Sequence, residues 1–335
     1  MMRMLTLSAL SAVFLAAAAP DPQMKAVLDQ LQALGPKPLD TLTPAEARKQ
    51  PTPADAVKAL LTKEGKSTAP QPVGKVEDRM VGGADGMIPA RIYWPAGAGP
   101  FPVLVYFHGG GWVIANKDVY DATPRALVNM AGCMVVSVDY RQAPEHKFPA
   151  AHDDAVAAYT WVVKNAVSIN GDPRRIAVGG ESAGGNLAVA TAIAARDRKL
   201  QTPVYQMVVY PIAGSDMNTP SYLENADAKP LGKAGMAWFF KHYLRTAADG
   251  KDPRINLVAA DLKGLPPAIV ITDQIDPLRS EGVMLAEKMR AAGVAVEHTN
   301  YDGVAHEFFA MGAVVDKAKQ AEQQAAAGLK KAFAK

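Results

Sequence analysis

Arg175-Ile176-Ala177-Val178-Gly179-Gly180-Glu181-Ser182-Ala183-Gly184-Gly185-Asn186 joins a short apolar run to an alanine-rich one through G-x-S-x-G. The five-residue pattern alone is weak. Framed by a strand and a helix, it predicts a sharp turn that lifts Ser182 out of a sheet in a strained conformation. Small residues at Gly180 and Gly184 suit such a turn, because strand end and helix start approach closely there. The N–H after the serine would sit at a helix N-terminus, where developing negative charge is favoured. The plain alternative is a glycine-rich packing turn with an inert serine.

Outward from this turn the chain alternates between short apolar runs and longer helical patterns. The runs are Ala90–Trp94, Pro102–Phe107, Cys133–Val138, Arg175–Val178, Gln206–Tyr210, Ala268–Thr272 and Ala295–Thr299. Helical patterns cover Ala150–Asn165, Gly185–Arg196, Lys233–Leu244 and Arg279–Ala292. Continuous hydrophobic strands alternating with helices predict an α/β protein with a mostly parallel sheet covered on both faces. Before the alternation, residues 21–67 read as helices broken by prolines, with Thr43-Pro44-Ala45-Glu46 as a helix start. Residues 214–252 are too long for a simple connection and carry Trp238, Phe239, Phe240 and Tyr243, so they read as an insertion over a site. The last stretch, 317–335, reads as a solvated amphipathic helix.

A second glycine-rich turn, Val105-Tyr106-Phe107-His108-Gly109-Gly110-Gly111-Trp112, also ends an apolar run. Consecutive glycines let main-chain N–H groups approach a substrate closely, as an oxyanion-binding loop requires. A phosphate-binding loop is the competing reading. It would need a lysine that this turn lacks, and Gly65–Thr68 has Leu60 where the first glycine belongs. His108 leads straight into the glycines and is read as shaping the loop.

A serine nucleophile needs an imidazole base oriented by an acid, here in the order serine, acid, histidine. Three histidines follow Ser182. His242 precedes any strand that could supply the acid, and His298 lies in an alternating strand pattern. His306, in Tyr301-Asp302-Gly303-Val304-Ala305-His306-Glu307-Phe308, follows the last strand and is the expected base. Asp276 in Thr272-Asp273-Gln274-Ile275-Asp276-Pro277 is the preferred acid, with Asp273 as its rival.

Composition narrows the partners. The chain has 335 residues, 49% hydrophobic and 21% charged, with 36 Lys and Arg against 33 Asp and Glu. The net charge of +3 comes with no basic stripe, so nucleic acid is not an expected partner. Cys133 is the single cysteine, which excludes an internal disulfide. Residues 1–19, with Arg3 before an apolar run to Ala19, read as a signal peptide. Export to the periplasm or beyond the cell follows as an expectation, without stable membrane insertion.

These motifs, taken together, resemble the hormone-sensitive-lipase-like group of bacterial carboxylesterases with the α/β-hydrolase fold. His108–Trp112 is similar to its HGGGW loop, Gly180–Gly185 to GDSAGG, and Asp276–Gly282 to DPLRDEG. Tyr301–Phe308 is similar to YxGxxHxF, and Tyr140–Glu145 with Phe148–Ala151 to YRLAPExxFPAA. The resemblance implies Ser182, Asp276 and His306 as catalytic residues and Gly110, Gly111 and Ala183 as the oxyanion hole. It implies a single catalytic domain over 20–335 with a helical cap from about 20–75 and 214–252. Trp112, Trp238 and Phe239 are then expected to line the substrate pocket, although Trp112 also reads as a loop anchor. No metal and no organic cofactor are expected. The expected partner is a small ester, and homodimerisation through the last strand is a candidate assembly. A ligand-binding relative without catalysis and an amidase or peptidase are the alternatives. Glu181, Ser280 and Gln142 depart from the family's usual Asp, Asp and Leu.

Overall fold

The computed structural model of the protein describes residues 18–334. Residues 1–17, most of the expected signal peptide, lie outside the described residues. Three helices come first: α1 (Pro22–Ala33), α2 (Pro44–Ala47) and α3 (Pro53–Lys63). α2 starts where the sequence places it. The Thr43 hydroxyl accepts from the Glu46 N–H, and the Glu46 carboxylate accepts the Thr43 N–H at 2.9 Å.

Eight strands follow among the described residues: β1 (Lys75–Gly83), β2 (Gly86–Trp94), β3 (Phe101–Phe107), β4 (Met134–Val138), β5 (Gly171–Glu181), β6 (Gln206–Val209), β7 (Ala268–Ile275) and β8 (Val296–Ala305). They form one sheet in the order β1-β2-β4-β3-β5-β6-β7-β8. β1 and β2 are antiparallel to each other, β2 is antiparallel to β4, and every pairing from β4 to β8 is parallel. The parallel strands need helical crossovers. These are α4 (Ala122–Ala131), α5 (Ala150–Asn165) and α6 (Ala183–Asp197), then α7 (Pro220–Glu224) and α8 (Lys233–Tyr243) between β6 and β7, and α9 (Arg279–Ala291). α10 (Asp316–Phe333) closes the chain.

The inner strands β3, β4, β6 and β7 bury both faces, which explains their unbroken apolar runs. Val103, Val105 and Phe107 face a core shared with Leu187 of α6 and Leu285 and Met289 of α9. Their neighbours Leu104 and Tyr106 face the other core, with Leu127 of α4 and Leu329 and Phe333 of α10. The last helix is therefore not simply solvated. Ala318, Ala321, Ala325, Ala326, Leu329 and Phe333 form a buried face against the sheet layer, and only the lysine- and glutamine-rich side meets water.

Two segments stand apart from this alternation. Residues 20–75 and 214–252 meet each other above the glycine turns, where Trp238 Nε1 donates to the Leu42 carbonyl at 2.9 Å. Arg48 ties the first segment to the sheet layer. Its guanidinium donates to the Val113 and Ala143 carbonyls at 2.9 and 2.7 Å and pairs with Glu145. Among the described residues, no helix is long and apolar enough to cross a membrane.

Candidate active site

β5 ends at Glu181 and α6 begins at Ala183, so Ser182 alone makes the turn, at φ +56° and ψ −118°. A non-glycine residue in that region is strained and must be held there by its surroundings. The surroundings are tight. A Cβ on Gly184 would lie 1.9 Å from the Phe107 carbonyl oxygen, and one on Gly180 would lie 2.4 Å from the Gly184 carbonyl. The two glycines thus allow the end of β3, the end of β5 and the start of α6 to touch.

β3 delivers the second turn beside this one. Gly110 and Gly111 adopt φ +91° and +58°, and a Cβ on either would strike Ile114 or Phe239. Behind the loop, His108 stacks on Tyr140 with ring centroids 4.4 Å apart, while the Tyr140 hydroxyl donates to the His108 carbonyl at 2.8 Å. His108 accordingly shapes the loop from behind. Neither Gly110, Gly111 nor Ala183 donates its N–H to a protein acceptor among the described residues. Gly110, Gly111, Ser182 and His306 border one cavity of about 620 Å³.

The carboxyl ends of β7 and β8 bring in the acid and the imidazole. Both strands run further than the apolar runs indicate, so Asp276 and His306 follow directly on β7 and β8. His306 Nε2 lies 3.0 Å from Ser182 Oγ, and Nδ1 lies 2.8 Å from Asp276 Oδ2. The second Asp276 oxygen accepts the Leu278 N–H at 2.8 Å, which fixes the carboxylate's orientation. All three side chains are buried. Burial opposes a charged imidazole, but the Asp276 carboxylate and its hydrogen bond, helped by Glu307 and Glu181, outweigh it and raise the His306 pKa. This arrangement can take a proton from the serine and hold it.

Asp273, the rival acid, lies within β7 with both carboxyl oxygens buried and without a hydrogen-bond partner. Burial, then the neighbouring Asp276, push its pKa well above the usual carboxyl range. Asp273, Asp276 and His306 each offer a ligand atom within 4.8 Å of the others. Asp276 and His306 direct theirs at each other, so Asp276 orients the imidazole and Asp273 stands beside the pair.

Phe239 and Met236 line the cavity, whereas Trp112 and Trp238 do not. Trp112 sits fully buried with its ring stacked on Tyr243 at 4.4 Å, anchoring the glycine loop. Trp238 turns its indole N–H to Leu42 and packs between the two outer segments. The aromatic helix α8 is thus divided: one side faces the cavity and Phe240 and Tyr243 pack inward. Helical spacing reveals the stripe but not which edge of it a cavity will use.

A family model described as the α/β-hydrolase fold matches residues 104–310. Carboxylesterase NlhH of Mycobacterium tuberculosis is 42% identical over 274 residues, 77% of this chain and 83% of that protein. The chain belongs to the hormone-sensitive-lipase-like family of α/β hydrolases. Ethyl acetate hydrolase of Pseudomonas putida is 34% identical over 290 residues, covering 84% of this chain and 88% of its own. The esterase of Pyrobaculum calidifontis superposes with a TM-score of 0.85 at 37% identity, over 93% of this chain and 98% of that one.

The departures from the hormone-sensitive-lipase-like motifs have local structural explanations. Glu181 turns into the core, where Tyr106 donates to Oε1 at 2.5 Å and Tyr210 donates to Oε2. Burial pushes its pKa up to about 7, against those two hydrogen bonds. Gln142 donates to the Ile114 and Ala115 carbonyls at 2.8 and 2.9 Å, beyond the glycine loop. The Ser280 hydroxyl accepts the Ser221 N–H, and the Ser221 hydroxyl accepts the Ser280 N–H, fastening α7 to α9.

Two cavity residues are not among those the sequence singles out. Tyr120 and Glu307 both border the cavity, and the Tyr120 hydroxyl lies 2.6 and 2.7 Å from the Glu307 carboxylate oxygens. Tyr120 carries no motif spacing. Glu307 directly follows the expected base, and that adjacency is the one sequence signal that points to it.

Proposed function

We propose that this α/β hydrolase cleaves small or medium carboxylic esters through an acyl-enzyme on Ser182. The hydrogen-bonded line from Ser182 Oγ through His306 to Asp276 Oδ2 carries the reading. The named esterases among its relatives support it.

The steps follow from the positions. Ser182 Oγ attacks the ester carbonyl as its proton passes to His306 Nε2. Asp276 holds the imidazole by Nδ1 and stabilises its positive form. The tetrahedral oxyanion is received by the N–H groups of Gly110, Gly111 and Ala183; each such donor is worth roughly 10²–10³ in rate. His306 then returns the proton to the leaving alcohol, and the C–O bond to that alcohol breaks. Water repeats the sequence in reverse and frees the acid.

Residues 20–75 and 214–252 act as a cap over the cavity in this reading. Their mutual contact at Trp238 and Leu42 and the placing of Phe239 against Gly111 support that role. Residues 1–19 serve as an export signal, tested by N-terminal sequencing of the mature protein. Two copies pair along β8, the edge strand; sedimentation velocity reads this directly.

The test of the activity is a panel of p-nitrophenyl acyl esters beside a peptide amide. The protein is expected to turn over the esters and not the amide, and Ser182→Ala to abolish turnover. Binding without turnover by the unmodified protein would favour a ligand-binding role. Amide cleavage at comparable rate would favour a peptidase.

A further inference from the structure

The cavity beside Ser182 has mostly apolar walls, supplied by Leu28, Leu31, Ile114, Val119, Met236 and Phe239. Its charged lining residues divide into two kinds. Asp29, Lys37, Asp40, Asp227 and Lys229 are exposed at the rim, where water and salt screen them. Glu307 is different. Its side chain is only 20% exposed, and its carboxylate lies 3.9 Å from His306 Nε2, the atom that also faces Ser182 Oγ. On the other side it meets Tyr120, whose hydroxyl sits where a Cβ on Gly109 of the glycine loop would fall. The carboxylate therefore lines the same cavity as Ser182, His306, Gly110 and Gly111, within 3.9 Å of the imidazole.

Burial raises the Glu307 pKa, and only the neighbouring His306 and the Tyr120 hydrogen bond work against that. No Lys or Arg pairs with Glu307 among the described residues, and Tyr120 provides a single proton to two oxygens. A carboxylate has about four acceptor sites, so acceptor capacity remains toward the cavity. Poorly hydrated and without a cation, such a group is stabilised by any positive charge that arrives, and it repels a negative one. A cation in the cavity also favours the ionised carboxyl. The backbone holds the position. Glu307 sits at φ +74° immediately after β8, so its placement is tied to the turn that presents His306.

We propose that Glu307 determines specificity, favouring esters that carry a positive charge near the scissile bond over uncharged isosteres and disfavouring anionic ones. The inference rests on the esterase reading above and narrows its substrate class. Glu307 does not take part in bond making; it selects what is brought to Ser182.

The experiment compares kcat/KM at pH 8 for a choline ester, its uncharged 3,3-dimethylbutyl isostere and a carboxylate-bearing ester of similar size. The unmodified protein is expected to prefer the choline ester over the isostere by about tenfold and the isostere over the anionic ester. High salt should leave both ratios largely unchanged, because a poorly hydrated carboxylate inside the cavity is screened far less than the rim charges. Glu307→Gln is expected to bring the cation-to-neutral ratio close to one. That ratio is the readout, because a purely structural lesion lowers all three rates alike. Should Glu307→Gln fail to fold, inhibition of the unmodified protein by a quaternary ammonium alcohol and its carbon isostere takes its place, with about tenfold tighter binding of the ammonium expected. Equal rates for the cationic and neutral esters, equal inhibition, or an unchanged ratio in Glu307→Gln would overturn the inference. Failure to hydrolyse any of the three esters would instead overturn the esterase reading.

Discussion

In the proposed mechanism His306 is neutral when it accepts the Ser182 proton, so its raised pKa would set the acid limb of activity. We expect kcat/KM to rise with pH through a midpoint above about 6.5, the ordinary imidazole value. Asp276→Asn removes the group that raises it and that holds the ring by Nδ1. The variant is expected to lose roughly 10⁴ in kcat; a stopped-flow ester assay reads it, and a loss below tenfold would contradict Asp276 as the orienting acid. Glu181 is the other residue with a sharp expectation. Glu181→Ala strands the Tyr106 and Tyr210 hydroxyls in the core and opens a cavity. It should cost about 3 kcal/mol in urea unfolding. At this scale the meeting of Ser182, Asp276 and His306 is legible because each sits in a short pattern with a fixed chain order. Trp238 does not line the cavity and Trp112 takes its alternative role of loop anchor, because an aromatic near a site can pack or line and only tertiary contacts decide. Tyr120 and Glu307 were missed for a similar reason: their hydrogen bond spans 187 residues of chain.

Elements were easier to foresee where burial is two-sided. β3, β4 and β6 read as plain apolar runs because both faces are covered. β1 escaped notice because it is an edge strand whose Lys75, Glu77, Asp78 and Arg79 leave no such run. The charges suit an unprotected edge. α10 reads as solvated because a face of small alanines gives weak contrast, and α4 has Asp121 at its N-cap position but no side-chain capping bond there. The turn between β5 and α6 gives the clearest test at this scale. Gly184→Ala places a methyl 1.9 Å from a backbone oxygen that cannot yield. We expect it to be insoluble or destabilised by more than about 3 kcal/mol, measured by thermal unfolding, and near-neutral behaviour would contradict the close packing of the turn. Arg48→Ala removes the donors to Val113 and Ala143. Faster limited proteolysis within residues 34–53 is the expected outcome, with KM raised more than kcat is lowered.

Across the molecule, the buried acids weaken the fold as pH rises, while buried His152, held down to about 4 by burial, opposes them below the ordinary imidazole value of about 6.5. Burial pushes Glu322 up to about 8 and Glu181 up to about 7, while unfolded glutamates ionise near 4.3. Between these values the folded protein keeps protons that the unfolded chain releases, so unfolding free energy falls as pH rises. His306 has the same sign, since its contribution is present below the unfolded value and lost as pH rises through the folded one. Tm is therefore expected to fall from about pH 6.5 to pH 8, where His152 no longer opposes the acids, with each group contributing at most about 1.4 kcal/mol per pH unit. Glu322→Gln should flatten that slope, and a Tm independent of pH across the window would contradict it.

Molecular architecture and chemistry meet in one requirement: strands far apart in the sequence must bring an imidazole to a single hydroxyl. Reaction with a serine-directed phosphonate ester, followed by mass mapping of the adduct, tests this most directly. One equivalent of label on the peptide containing Ser182, stoichiometric loss of esterase activity, and no label in Ser182→Ala are expected. Label on any other residue, or full activity after complete labelling, would contradict it.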